Sequence, residues 1–196
     1  MKIVYIRESQ AKGVYSVGVS CDGNISKYSI LARDIDTTYL TPGCPVDDEL
    51  LGQIISSDEC YRATRVALRL LSVGIESLRG LALKLSARRI GRDTIKRVTD
   101  YIISCGYINE KRDIRELLLS LANTCLFGER KLVARLVGRH YRLGMVESVL
   151  GKLVRDGEID FAENARRLIE KKLPEDSSPE EIKKLLYKYG YKITEE

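Results

Sequence analysis

Two segments of the chain, IKRVTDYIISCGYIN from Ile95 and VESVLGKLVRDGEID from Val146, carry the same apolar pattern fifty-one residues apart. Ile95 falls on Val146, Val98 on Val149, Ile102 on Leu153, Gly106 on Gly157, Ile108 on Ile159 and Asn109 on Asp160. A fixed internal period of this length is the mark of a repeat architecture, in which each unit buries its apolar face against the next. The period extends upstream, because Leu81 and Leu85 match Leu132 and Leu136, and Ile90 matches Tyr141. A third copy begins near Ile159 with FAENARRLIEKKL, is interrupted by PEDSSP and resumes as EEIKKLLYKYGY, where Ile182 and Leu186 match Leu132 and Leu136 at an offset of fifty; its third helix is missing.

From Val46 onward the apolar spacing is helical. The expected helices are a short one over 47–55, one capped by Ser57 or Asp58 and running to about Ser72, then Glu76 to Ala87, Arg92 to Cys105 ending at Gly106, and Glu110 to Thr124. Asp176 or Ser177 is expected to cap the last helix, with Pro179 in its first turn. Before Val46, residues 2–8, 14–20 and 25–30 are short and rich in Val, Ile and Tyr. The turn CDGN and the breaker TPGCP make this region a small hairpin or three-stranded meander. The expected fold class is therefore mainly α: tandem three-helix repeats in an elongated curved array, with a small N-terminal β element. Its expected divisions are 1–57, 58–108, 109–158 and a truncated repeat over 159–196. About fifty residues bury too little apolar surface to stand alone comfortably, which is a reason for such trios to stack.

Charge is unevenly placed along this frame. Lys and Arg against Asp and Glu number 5 to 7 over residues 1–57, 18 to 10 over 58–150 and 10 to 11 over 151–196, so the net +5 comes from the middle. Arg62, Arg65 and Arg69 fall on one helical face, a stripe for phosphates or acidic protein loops, or else a solvated surface. Arg88, Arg89, Arg92, Lys96 and Arg97 cluster around the next turn, and Arg135, Arg139 and Arg142 share one side with His140 between them. Arg166, Arg167, Lys171 and Lys172 are balanced by Glu163, Glu170 and Glu175 and read as solvent-facing ion pairs. The eleven tyrosines could stack on unpaired bases, although most sit where packing accounts for them.

Other chemistry finds no support in the letters. The five cysteines are scattered without a CxxC pair and suit reduced thiols. His140 has no partner at metal-ligand spacing, and neither a phosphate-binding P-loop nor a G-x-S-x-G nucleophile elbow occurs. No cofactor, small-molecule substrate or enzymatic activity is expected. The longest apolar runs fall short of a membrane span, and a signal sequence is not evident, so a cytoplasmic protein is expected.

The order of DGN turn, G-x-P-V-D-D-E-L-L, DECYRATRVALRLLS, LALKL, CGYIN, FGERKLVARL and DGEID resembles the RecX family of bacterial RecA regulators, over nearly the whole chain. The chain departs from the family pattern at Gly80, where a glutamate is usual, and at Asn109-Glu110, where paired aspartates are usual. The resemblance implies a non-enzymatic modulator that lies in the helical groove of a RecA–single-stranded DNA filament. Such a protein hinders strand exchange, ATP hydrolysis and co-protease activity, and so modulates recombination, repair and the SOS response to DNA damage. A helix-turn-helix-like protein acting directly on DNA is the alternative, with the turn between Ala87 and Asp93 presenting a recognition helix.

Overall fold

The computed structural model describes residues 1–74 and 77–192. Three strands, β1 (Lys2–Glu8), β2 (Val14–Cys21) and β3 (Asn24–Leu31), form an antiparallel meander in the order β1-β2-β3. Asp22 and Gly23 both adopt positive φ (50° and 83°), the two-residue hairpin geometry whose twist matches that of the flanking strands. Gly18 lies opposite Tyr5, and a Cβ there would come within 2.3 Å of the Tyr5 ring, so glycine is what lets the aromatic cover this part of the sheet. A 3₁₀ turn (Thr37–Tyr39) follows, and then eight helices among the described residues: α1 (Asp48–Val73), α2 (Leu78–Ser86), α3 (Arg92–Ser104), α4 (Glu110–Cys125), α5 (Glu129–Val137), α6 (Leu143–Arg155), α7 (Phe161–Lys172) and α8 (Pro179–Tyr189).

The chain forms two compact units. One comprises Met1–Gly74 with Ala82–Cys105, and the other comprises the described residues 77–81 and 106–192. In the first, Ile3, Val17, Val19, Ile30, Ile35, Leu40, Val46 and Ile54 join the inner sheet face to the start of α1. In the second, Ile114, Leu118, Leu132, Leu136, Tyr141, Val146, Leu150, Leu153 and Ile159 make one core from α4, α5 and α6. Leu126, Leu168 and Tyr191 form a smaller cluster with α7 and α8.

The two segments quoted first now have a physical meaning. Gly106 and Gly157 sit at φ 71° and 72°, the left-handed residue that stops α3 and α6. Ile108 and Ile159 are buried, and Asn109 and Asp160 accept hydrogen bonds from the first backbone N–H groups of α4 and α7. Each copy thus reads stop, anchor, cap. A second recurring turn closes α2, α5 and α8. The amides of Ile90, Tyr141 and Tyr191 donate to Leu85, Leu136 and Leu186, and those of Arg89, His140 and Gly190 donate to Ser86, Val137 and Tyr187. This is the Schellman arrangement, with its left-handed residue at Arg89, His140 and Gly190 (φ 61°, 67° and 88°).

Two expectations need correction. The helices expected over 47–55 and from 58 are one continuous α1, capped by Asp47, so the expected division at residue 57 falls inside a helix. Ser57 and Asp58 are buried in its middle, where they satisfy the outer edge of β3: Leu31 N donates to Ser57 Oγ at 2.9 Å and Ser29 N to Asp58 Oδ1 at 2.8 Å. An exposed strand edge invites mispairing, and here two helix side chains close it. The last helix is capped by Ser178, in a capping box with Glu181, in place of Asp176 or Ser177. The start of α2 expected at Glu76 lies outside the described residues.

Tyr191 offers a test of the smaller cluster. Its hydroxyl donates to the Leu126 carbonyl at 3.0 Å, and burial pushes its pKa up to about 12. A phenol with a folded-state pKa above its unfolded value of about 10 favours the fold below pH 10, and that contribution is lost as pH rises toward 12. Thermal melts across that window should show Tyr191→Phe losing less stability than the natural chain; equal slopes would refute the assignment.

Candidate anion-binding interface

In the first unit the sequence-separated arginines meet. Arg62, Arg65 and Arg69 project from α1, while Arg88 and Arg89 occupy the Schellman turn between α2 and α3. They line two adjoining concavities of about 310 and 570 Å³ that share Arg62, Val66 and Arg88. Among the described residues Glu59 is the acid lining the smaller one, and the larger is lined by none. Arg62 is tethered by Asp58 at 2.8 Å, and Arg88 donates to the Lys84 carbonyl at 2.8 Å. Arg65 lies 5.9 Å from the Tyr61 ring centre. Arg65, Arg69 and Arg89 have no carboxylate partner among the described residues.

The smaller concavity also receives the start of α3. Gly91 is its N-cap and offers no side-chain hydrogen bond, so the first amides of the helix are open to an oxyanion. Thr94 lines the same space, is 8% exposed, and its hydroxyl has no partner among the described residues. Guanidinium groups, open amides and a hydroxyl facing one cavity are the donor set that phosphate oxygens accept from. The arrangement fits an anion.

The backbone at Arg89 is energetically informative. Its left-handed conformation costs a residue with a Cβ about 1 kcal/mol or more, and at the matching turn of α8 the chain uses Gly190. Here an arginine is held in the glycine position, where it lines the concavity. Arg89→Gly should therefore raise the urea midpoint by an amount equivalent to about 1 kcal/mol while weakening anion binding. His140→Gly is the control. It should stabilise similarly and leave binding at this concavity unchanged.

The remaining predicted residues are distributed otherwise. Arg92 is exposed at the first position of α3, and Lys96 pairs with Asp100 at 2.9 Å, whose hydrogen bond and charge raise the lysine pKa. Arg97, counted with this cluster from sequence, is structural: it holds Asp34 at 2.7 Å and donates to Ser56 at 2.8 Å, and Asp34 in turn accepts from Ser57. Arg135 (on α5) and Arg139 and Arg142 (in the α5–α6 turn) belong to the second unit and do not line these concavities. Sequence reasoning missed Gly91 and Thr94, whose only signal was the absence of a capping side chain before a helix.

Among the described residues, no helix is long and apolar enough to cross a membrane, and no group of His, Cys, Asp and Glu is placed to hold a metal. No family model and no curated protein matches the sequence. Among solved structures, a crystal structure of the regulatory protein RecX is similar with a TM-score of 0.73 at 18% identity, covering 97% of this chain and 94% of that one. The chain has the RecX fold. RecX from Lactobacillus salivarius is similar with a TM-score of 0.58 at 20% identity, over 69% of this chain and 90% of that one. The fold class expected from the repeat, mainly α with a small N-terminal sheet, is that of RecX. At this identity the likeness is one of backbone arrangement; the basic concavity is a property of this chain's own residues.

Proposed function

We propose that the chain is a non-catalytic regulator of a RecA-type recombinase. It lies in the helical groove of the RecA–single-stranded DNA filament, in the cytoplasm, and hinders strand exchange, ATP hydrolysis and co-protease activity. The observation that carries this reading is the meeting of Arg62, Arg65, Arg69, Arg88 and Arg89 around an open helix N-terminus, on a chain with the RecX fold. Such a surface matches the phosphates of the bound strand or acidic groups of the surrounding protein. Arg135, Arg139 and Arg142 supply a further basic set from the second unit.

Direct readout of duplex DNA by α3 fits less well. Its buried face carries Thr94, Val98, Thr99 and Ile102, and on its exposed face Asp93 and Asp100 offset Arg92 and Lys96, so it presents little net positive charge to a groove. The deciding experiment measures RecA ATP hydrolysis on single-stranded DNA as this protein is titrated in. Inhibition should develop at amounts comparable with RecA. Unchanged hydrolysis together with sequence-dependent duplex binding would replace this reading by the helix-turn-helix one.

A further inference from the structure

The second unit carries a basic cluster of different composition, in which cations lie on aromatic rings. The glycines at the start of α5 and the end of α8 bring these helices together backbone to backbone. Gly128 N donates to the Tyr189 carbonyl at 2.9 Å and Arg130 N to the Gly190 carbonyl at 3.1 Å. There is no room for side chains at this junction: a Cβ on Gly128 would lie 2.5 Å from Tyr191 N, and one on Gly190 2.4 Å from Lys131 Cβ. The first turn of α5 is thereby held over the last turn of α8.

The result is a row of cations facing rings. Arg130 lies 5.1 Å from the Tyr187 ring centre, Lys131 lies 4.4 Å from Phe127 and 4.8 Å from Tyr189, and Arg135 is 5.9 Å from Phe127. Part of this is structural. Lys131 is half-buried and donates to the Lys188 carbonyl at 3.2 Å, where a cation complements the C-terminal end of α8. Packing does not account for the outer part. Tyr187 is 61% exposed beside the exposed Arg130, and the adjacent acid, Glu129, is already paired with Lys192 at 2.7 Å. An exposed ring beside one guanidinium, Arg130, with a second, Arg135, on the neighbouring Phe127 ring, is the combination that binds unpaired bases together with their phosphates.

We infer that this α5–α8 surface is a stacking platform for single-stranded nucleic acid, with a base on the open face of Tyr187 and the flanking phosphates on Arg130 and Arg135. The inference rests on the reading that a nucleic-acid strand is part of what the protein engages. It places a strand contact in the second unit, independent of the α1–α3 concavity. Duplex DNA, whose bases are stacked internally, can offer this surface only phosphates.

The test uses the full chain and a short fluorescein-labelled oligothymidylate, followed by anisotropy. The natural protein should bind it. Tyr187→Ala should weaken binding about tenfold, and Tyr187→Phe, which keeps the ring, should restore it. An abasic strand of equal length should bind the natural protein about tenfold more weakly than the oligothymidylate and should not distinguish it from Tyr187→Ala. Tyr187→Trp would give the chain its only tryptophan, and its emission should be quenched by the oligonucleotide. Unchanged affinity in Tyr187→Ala, equal affinity for the abasic strand, or no binding at all would each overturn the platform. Circular dichroism on the same variants separates lost binding from lost fold. If Tyr187→Ala binds oligothymidylate normally while the natural chain still inhibits RecA, the platform fails and the regulatory reading stands. Ring-dependent oligothymidylate binding by a chain without effect on RecA would do the opposite, keeping the platform and removing the regulatory reading.

Discussion

Leu136→Ala is expected to lower the unfolding free energy of the second unit by about 2–5 kcal/mol, measured by urea denaturation with the slope unchanged. Leu136 is fully buried between α4, α5 and α6, and its carbonyl accepts the amides of Arg139 and Tyr141 in the turn that starts α6. Truncation opens a cavity whose walls are fixed on several sides by Ile114, Leu118, Leu132 and Leu150, so relaxation can recover little of the lost contact. Truncating Val137, the next residue and 40% exposed, should cost a small fraction of that. A similar loss at both positions would mean that α5 does not pack through the face described here.

The second large effect concerns binding. Arg65→Glu with Arg69→Glu is expected to weaken RecA-filament binding by more than about tenfold, with a flatter dependence on salt and no change in helix content. Both arginines line the larger concavity, and neither has a carboxylate partner among the described residues to leave unpaired, so the fold loses little when they change. Arg97→Glu is the contrasting case. It puts a carboxylate against Asp34 and breaks the link from α3 to Asp34 and Ser56, so it should destabilise the first unit itself. Normal filament inhibition by the Arg65/Arg69 double variant would remove the concavity from the proposed mechanism.

These contrasts mark what can be read along a chain. Strands β1 to β3 and helices α3 to α8 are legible because each is bounded by local chemistry: the CDGN turn, the glycines at 106 and 157, and the Asn or Asp that caps the next helix. The break expected near Ser57 comes from the same chemistry applied where it does not hold. A serine followed by an aspartate before an apolar run looks like a helix start, but in α1 both side chains bond to β3, a partner some 26–29 residues earlier in the chain. The last cap is displaced by one or two residues, because several capping residues stand together in EDSSP and only the Ser178–Glu181 pairing selects among them.

The candidate sites divide in the same way. The arginine stripe on α1 and the cluster after α2 are visible as spacing and composition. Which arginine lacks a carboxylate, which is tied to Asp58 or Asp34, and which sits over a ring depend on neighbours that spacing alone does not reveal. Tyr187 carries no signal at all, and Thr94 only the uncapped helix start beside it, since their roles exist only beside Arg130 in one case and Arg62 and Arg88 in the other.

By itself the sequence determined the repeat, most of the helices and the stops and caps that recur with it, because these follow from interactions within a few residues and from apolar periodicity. Only the tertiary structure decided which charges are spent on the fold and which remain to bind. An ion pair or an open amide is defined by distances of about 3 Å between groups that the chain order keeps tens of residues apart.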